Sequence, residues 1–271
     1  MSLLAKIQKG RRANPRRTML YGVHGIGKST FANQSDKPIF ISTEDGLNDL
    51  DCERFPLCEN YAQVMDCLKA LWSEQHGYQT VVIDSLDWLE RIIWAEVCRR
   101  ESAATIEKVG GGYGKGYTRA LDVWREVLDG LEGLRAKHGM SSILLAHASI
   151  TRYESPETES YDRYTPRLQK HASGLVQEWC DEVLFATYKT YVKTKEEHFG
   201  RTTYRAVGGQ ERIMRTCEKP YCEAKNRLGL PEELPLSYAE YAKYFPTTAA
   251  DKPADKQADK PTLATTPNGK K

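Results

Sequence analysis

Eight consecutive residues, Gly22-Val23-His24-Gly25-Ile26-Gly27-Lys28-Ser29, satisfy the pattern G-x-x-x-x-G-K-[ST]. In that pattern the glycines let successive backbone N–H groups turn toward an anion, and the start of a following helix adds partial positive charge. Lys28 is spaced to reach the β and γ phosphates of a nucleotide and the Ser29 hydroxyl to ligate Mg²⁺, with Thr30 continuing the same turn. ATP with Mg²⁺ is the expected ligand. A chance glycine-rich turn is disfavoured by the flanks, since an apolar run precedes the segment and a helix-forming run follows it.

Three further side chains extend this chemistry. Thr80-Val81-Val82-Ile83-Asp84 is an apolar strand ending in a carboxylate, so Asp84 is expected to organise the same Mg²⁺ through water. Hydrolysis needs a carboxylate that orients water, and the run Phe40-Ile41-Ser42-Thr43 delivers Glu44 just past a strand end. Asp45 is the competing candidate, and helix capping is the other use for either acid. Ile143-Leu144-Leu145-Ala146 leads to His147, whose imidazole can hydrogen-bond a γ-phosphate; a neutral histidine closing the strand end is the alternative.

These residues need a scaffold that brings several strand ends together. Short strands are expected at 18–21, 38–41, 80–84, 141–146 and 182–188, and helices at 28–33, 61–75, 86–100 and 117–138. In the longest helix Leu121, Trp124, Leu128, Leu131 and Leu134 recur at helical spacing, and Trp88, Trp94 and Trp124 are all expected in the core. Strands alternating with helices predict an α/β fold, a mostly parallel, doubly wound sheet with ligands at the carboxyl ends of its strands. Beyond residue 188 the pattern changes to alternating segments at 202–207 and 212–216, expected as a C-terminal β-hairpin that extends the sheet. Two long connections, 103–116 and 150–170, are expected to be functional or mobile.

The strand-end Glu44 and His147 together with the phosphate loop resemble the RecA branch of P-loop NTPases, and a RecA-like core is therefore expected. In that branch the Glu activates water and the polar strand end senses the γ-phosphate. The two long connections fall where the family places its DNA-binding loops. The resemblance thus implies single-stranded DNA contacts by Lys108, Tyr113, Lys115 and Tyr117, and by Arg152, Arg163, Arg167 and Lys170. Basic residues interleaved with tyrosines suit backbone contact plus base stacking. Glu154, Glu157, Glu159 and Asp162 cancel the charge of the second loop, so a lid over a small substrate is the rival reading there.

Lys225-Asn226-Arg227 resembles the Lys-x-Arg element of the bacterial RadA and replicative-helicase group. There the pair acts in trans on phosphates held by a neighbouring protomer; two solvated surface charges are the alternative. From residue 17 to 245 the chain is similar to phage-encoded P-loop proteins of the AAA_24 type, including the RecA-core-only single-strand annealing proteins. The resemblance implies an ATP-dependent protein that binds single-stranded DNA as a homo-oligomer, ring or filament, with a single-strand binding or replication protein as a further partner. Full-length RecA carries an N-terminal polymerisation helix and a C-terminal domain that are not visible here, so annealing or a mediator role is expected over strand exchange.

Composition bounds the alternatives. The chain has 271 residues, 40% of them hydrophobic, with 39 Lys+Arg against 37 Asp+Glu. Such a chain can bury a core. No apolar run reaches the roughly 18 residues of a membrane span, the first residues lack an export signal, and seven scattered cysteines fit a reducing compartment, so a cytoplasmic location is expected. The cysteine spacings do not favour zinc. Residues 1–16 read as a basic arm that binds phosphates, docks a protomer or is solvated, 17–246 as the ATPase domain, and 247–271 as a disordered Ala-Asp-Lys-Pro-like tail. A net charge of +2 gives no global attraction to nucleic acid, so DNA contact rests on local patches. A nucleotide-gated switch with negligible turnover and a small-molecule kinase are the alternative functions.

Overall fold

Alternate residues of five apolar segments face two separate cores, which makes those segments strands of a sheet covered on both sides. Met19 and Tyr21, Ile39 and Ile41, Val81 and Ile83, Leu144 and Ala146, and Val183 and Phe185 pack into one core. Their neighbours Leu20, Phe40, Val82, Ile143 with Leu145, and Leu184 with Ala186 pack into the other. The computed structural model that shows this describes residues 3–7, 9, 13–197 and 201–246. Arg11, Arg12 and the tail from Thr247 lie outside the described residues.

Residues Asn14–Phe245 form one compact unit. Its central strands are β1 (Arg17–Gly22), β2 (Pro38–Ser42), β3 (Thr80–Asp84), β4 (Ser141–Tyr153) and β6 (Glu182–Glu197), parallel and in spatial order β2-β3-β4-β1-β6. The expected α/β, mostly parallel sheet is thus observed. Helices α2 (Tyr61–Ser73), α3 (Leu86–Arg100), α4 (Lys115–His138) and α5 (Lys170–Trp179) supply the first core, while α1 (Lys28–Asn33) and α6 (Tyr238–Ala242) supply the second. Helix α4 buries Trp124, Leu128, Leu131 and Leu134 and stops at Gly139, whose left-handed φ of 67° suits a residue without a Cβ. Outside the compact unit, a 3-10 turn at Leu3–Lys6 is the described element.

Several boundaries differ from the sequence reading. The long connection at 150–170 is not a structureless loop, because β4 runs on to Tyr153 and returns antiparallel as β5 (Tyr161–Pro166). Beyond Ser149 the hairpin has no apolar alternation to read. It is held instead by ladder hydrogen bonds and cross-strand pairs such as Tyr153–Tyr161, whose rings lie 5.3 Å apart. The connection at 103–116 contains a 3-10 turn, Ile106–Gly111, anchored by buried Ile106 and Val109. The two late segments are parts of one strand, β7 (Arg201–Arg215), which pairs with β6 as a long hairpin and then with β9 (Glu233–Pro235). A short β8 (Lys225–Asn226) pairs with the start of β6.

Trp88 is a correction. Trp124 is fully buried, but Trp88 is 40% exposed and lies under the Arg91 guanidinium, 4.6 Å from the ring centre. Its helical spacing put it beside core residues, while the face it occupies is the solvent side of α3. Arg16 is drawn out of the basic arm into the fold beside Arg17, the first residue of β1. Arg16 pairs with buried Glu182, and Arg17 bonds Asp181 at 2.9 Å and Glu132 at 3.3 Å. No helix among the described residues is long and apolar enough to cross a membrane.

Candidate active site

Because β4 is inserted between β1 and β3, the carboxyl ends of β1, β3 and β2 line up with His147, midway along β4, on one edge of the parallel sheet. Gly22 is in register with His147, and Ser42 with Asp84. The four segments singled out for chemistry therefore meet at one edge. A cleft of about 360 Å³ there is lined by Gly25, Gly27, Lys28, Ser29, Thr30, Glu44, Asp84, His147 and Arg212.

The loop between β1 and α1 has the backbone its glycines permit. Gly25 and Gly27 have φ of 69° and 105°, a region that side-chain-bearing residues rarely enter. Gly22 is required for a different reason, since a Cβ there would sit 2.4 Å from the Ala186 carbonyl oxygen on β6. Lys28 is buried with Nζ donating to the Gly22 and Val23 carbonyls at 3.3 and 3.1 Å. Burial pushes its pKa down, against the pull of Asp84 and Glu44. Buried Ile26 and Phe31 seat the loop and helix on the second core.

Ser29 Oγ donates to Asp84 Oδ2 at 2.7 Å. A hydroxyl and a carboxylate oxygen side by side at the mouth of a phosphate loop are a hard, all-oxygen donor set that fits Mg²⁺. Burial pushes the Asp84 carboxyl up, and the Ser29 hydrogen bond and Lys28 work against that rise.

Glu44 follows β2 in a turn fixed by the buried Thr43, whose N–H donates to the Asp84 carbonyl at 2.8 Å and whose hydroxyl donates to the Ser85 carbonyl at 2.7 Å. Its carboxyl lines the cleft and has a raised pKa, chiefly from burial and also from the nearby Asp84 and Asp87 charges, partly offset by His147. Asp45, the competitor, points to the exposed side and accepts from Asn48 Nδ2 at 2.8 Å. Geometry thus separates two adjacent acids that spacing alone left open.

Sequence reasoning missed the residue that ties the site together. Asp87 is buried in the first turn of α3. It accepts from Ser85 Oγ at 3.0 Å, from the His147 backbone N–H at 3.2 Å, from His147 Nδ1 at 3.0 Å, and from Arg167 Nη2 at 2.5 Å. Burial works against its charge, but the hydrogen bonds from His147 and Arg167 outweigh it and hold the carboxyl well below the usual range. With Nδ1 donating to Asp87, the His147 tautomer leaves Nε2 as the ring's second polar atom. His24 of the phosphate loop stacks on His147 with ring centres 4.0 Å apart, and that neighbour lowers its pKa. An acid in the first turn of a helix reads as a dipole partner. The available signal was that Asp87 and Glu90 interrupt the face formed by Leu86, Leu89 and Ile93.

Glu90, one turn further, is buried and accepts the Gln169 N–H at 3.0 to 3.1 Å, at the start of α5. Burial pushes its carboxyl up to about 7 from 4.5. The folded protein therefore keeps a proton that the unfolded chain releases, so stability falls as pH rises from about 4.5 to about 7. The expected loss is about 3 kcal/mol, and Glu90→Gln, which can still accept from Gln169, flattens it in urea unfolding between pH 5 and 8.

A model of the AAA domain family, AAA_24, matches residues 14–228. The chain belongs to this AAA domain family. The SPbeta prophage-derived uncharacterized protein YorG of Bacillus subtilis (strain 168) is 23% identical over 201 residues, which cover 68% of this chain and 58% of that protein's own length. The crystal structure of the RadB recombinase aligns at 15% identity with a TM-score of 0.39, covering 70% of this chain and 87% of that one. Membership of an AAA domain family implies nucleotide binding, typically with Mg²⁺.

Within this AAA domain the expected DNA contacts separate into two groups. Lys108, Tyr113, Arg152 and Lys170 are exposed, Tyr113 fully so. Lys115 is also exposed but donates to the Gly110 carbonyl at 3.1 Å, and Tyr117 is half-buried edge-on against Trp94. Arg163 is buried, paired with Glu218 and set over the Tyr153 ring, and Arg167 is paired with Asp87. The β4–β5 register turns Arg163 inward, where its charge needs a partner, and the exposed Glu218 carboxylate supplies it. Lys225 donates to the carbonyls of Gln177, Glu178 and Cys180 at 2.8, 2.9 and 2.6 Å, capping the C-terminus of α5. Arg227 is exposed, with Nη1 3.4 Å from Asp181.

Proposed function

We propose that the chain is a Mg·ATP-dependent ATPase that binds single-stranded DNA and assists recombination, annealing or replication as an oligomer. The observation that carries this reading is the polar path from the cleft to the hairpin. His147 faces the cleft and bonds Asp87, Asp87 bonds Arg167, and Arg167 directly follows β5.

In this reading the loop N–H groups and Lys28 bind the phosphates. Ser29 and Asp84 would hold Mg²⁺, which neutralises charge on the phosphate oxygens. Glu44, its carboxyl made more basic by burial, orients the attacking water and accepts its proton. His147, carrying a proton on both ring nitrogens in the complex, donates Nε2–H to the γ-phosphate while Nδ1–H stays on Asp87. Loss of that contact shifts the Asp87–Arg167 pair and with it the β4–β5 hairpin, whose Arg152 and Tyr153 face solvent beside Lys170. Tyr113 and Lys108 offer a second exposed patch. For Lys225 and Arg227 to act on a neighbour's nucleotide, Lys225 has to leave three carbonyls, so the exposed Arg227 is the better placed of the two.

The test is phosphate release by the full chain with and without single-stranded DNA, alongside electron microscopy with a non-hydrolysable ATP analogue. DNA-stimulated turnover and ordered assemblies on DNA are expected. Lys28→Ala is expected to lower nucleotide affinity by at least roughly tenfold, because it removes a charged phosphate contact. Turnover that ignores DNA, or monomers lying off it, overturns the DNA-dependent part of the reading.

A further inference from the structure

Arg212 lines the nucleotide cleft but has no counterpart among the residues that the phosphate-loop pattern assigns. The last β1–β6 pair is Gly22 with Ala186, so Tyr188 and its β7 partner Arg212 lie beyond the carboxyl end of β1, level with the phosphate loop. Met214, two residues along β7, packs with Ile26 and Phe31, and the two-residue period of a strand puts Arg212 on that same face. Its Nη1 lies 3.0 Å from where a Cβ on Gly27 would be, so the guanidinium rests against the loop at a point that only glycine leaves open.

The neighbouring charges are committed elsewhere. Lys189 bonds Glu233 at 2.7 Å and Glu211 at 3.6 Å, and Arg215 bonds Glu233 at 2.6 Å. Among the described residues the Arg212 guanidinium has no hydrogen-bond or ion-pair partner. The strand beneath it is fixed, because the Arg212 carbonyl accepts the Leu236 N–H at 3.0 Å. A planar donor group aimed at a phosphate loop from a rigid strand is suited to an oxyanion.

The flank identifies which phosphate. Glu44, Asp84 and His147 come from β2, β3 and β4, all on one side of β1, and they mark the γ end. Arg212 comes from β7, on the opposite side of β1. We infer that Arg212 grips the α-phosphate end of the bound nucleotide in cis, a contact shared by nucleoside di- and triphosphates. This rests on the nucleotide-binding reading above.

The experiment measures affinity of the full chain for MgADP and for a non-hydrolysable MgATP analogue by titration calorimetry, in wild type, Arg212→Ala and Arg212→Lys. The Ala variant is expected to weaken both ligands by the same factor, roughly ten- to hundredfold, with Lys recovering part of the loss. The melting temperature of the ligand-free protein stays at the wild-type value, so the loss is one of binding and not of folding. Unchanged affinities in Arg212→Ala overturn the inference alone, and a loss confined to the ATP analogue overturns its placement at the α end. If wild type binds neither nucleotide, the reading of the site fails and the inference with it.

Discussion

Glu44→Gln is expected to leave MgATP affinity within about threefold of wild type and to slow hydrolysis by roughly two to four orders of magnitude. The side chain touches the cleft, while the turn that presents it is held by Thr43 through backbone partners, so the substitution leaves that turn intact. What is lost is the basic oxygen. Glu44 sits among Asp84, Asp87 and His147 and is half-buried, so its carboxyl has a raised pKa and accepts a proton from water more readily than an exposed glutamate. Glutamine keeps the shape and the polarity but cannot take the proton. Single-turnover phosphate release with pre-bound MgATP measures the step directly. Hydrolysis within threefold of wild type would remove Glu44 from the mechanism. Asp45→Asn serves as the control, because its partner Asn48 lies on the exposed side and its loss should move neither quantity.

Asp87→Asn is expected to have the second largest effect, on communication more than on chemistry. One Asn oxygen can still accept from Ser85 and the His147 backbone, but the amide group then faces donors, either His147 Nδ1–H or the Arg167 guanidinium. One of these contacts must break. Turnover should fall by roughly ten- to a hundredfold, the scale seen when a partner that orients an active-site histidine is removed. The same change should destabilise the fold by about 2 kcal/mol, less than a fully buried pair because Arg167 can turn into water. Two readouts separate this from simple loss of stability. Nitrogen chemical shifts of His147 should move as Nδ1 loses its carboxylate acceptor, and amide exchange should rise across 148–153 and 161–167 while the central strands stay protected. The acid limb changes too. Asp87 has a depressed folded pKa, so its contribution is present above the ordinary carboxylate range and is lost as pH falls, and the Asn variant lacks that limb. Unchanged His147 nitrogen shifts and unchanged exchange in the hairpin would sever the path from His147 to β5.

The contrast between what was legible and what was not has a physical basis. Gly22, Gly25, Gly27, Lys28 and Ser29 could be recognised in the chain because a phosphate loop is local. The backbone angles, the donor and the hydroxyl come from eight consecutive residues. Asp84, Glu44 and His147 were legible for a similar reason: Asp84 ends an apolar strand, Glu44 follows one, and His147 closes the apolar first half of β4. Even the strand-helix order was local, since both faces of the sheet are covered and its strands read as continuous apolar runs.

Only the tertiary structure decided how those residues are wired. Asp87 looks like a helix-start acid until the insertion of β4 between β1 and β3 places His147 against it. Arg167 and Arg163 look like loop cations until the β4–β5 register turns them toward Asp87 and Glu218. Lys225 was read as a reaching charge and is found capping α5, some 45 residues earlier in the chain. Arg212 carries no signal in sequence, because its proximity to Gly27 comes from β6 and β7 running past the end of β1. Local spacing can specify which groups bind a phosphate. Which charges are free to meet a ligand, and which are consumed by the fold, depends on partners distant in sequence, and that pairing is set only when the strands take their places in the sheet.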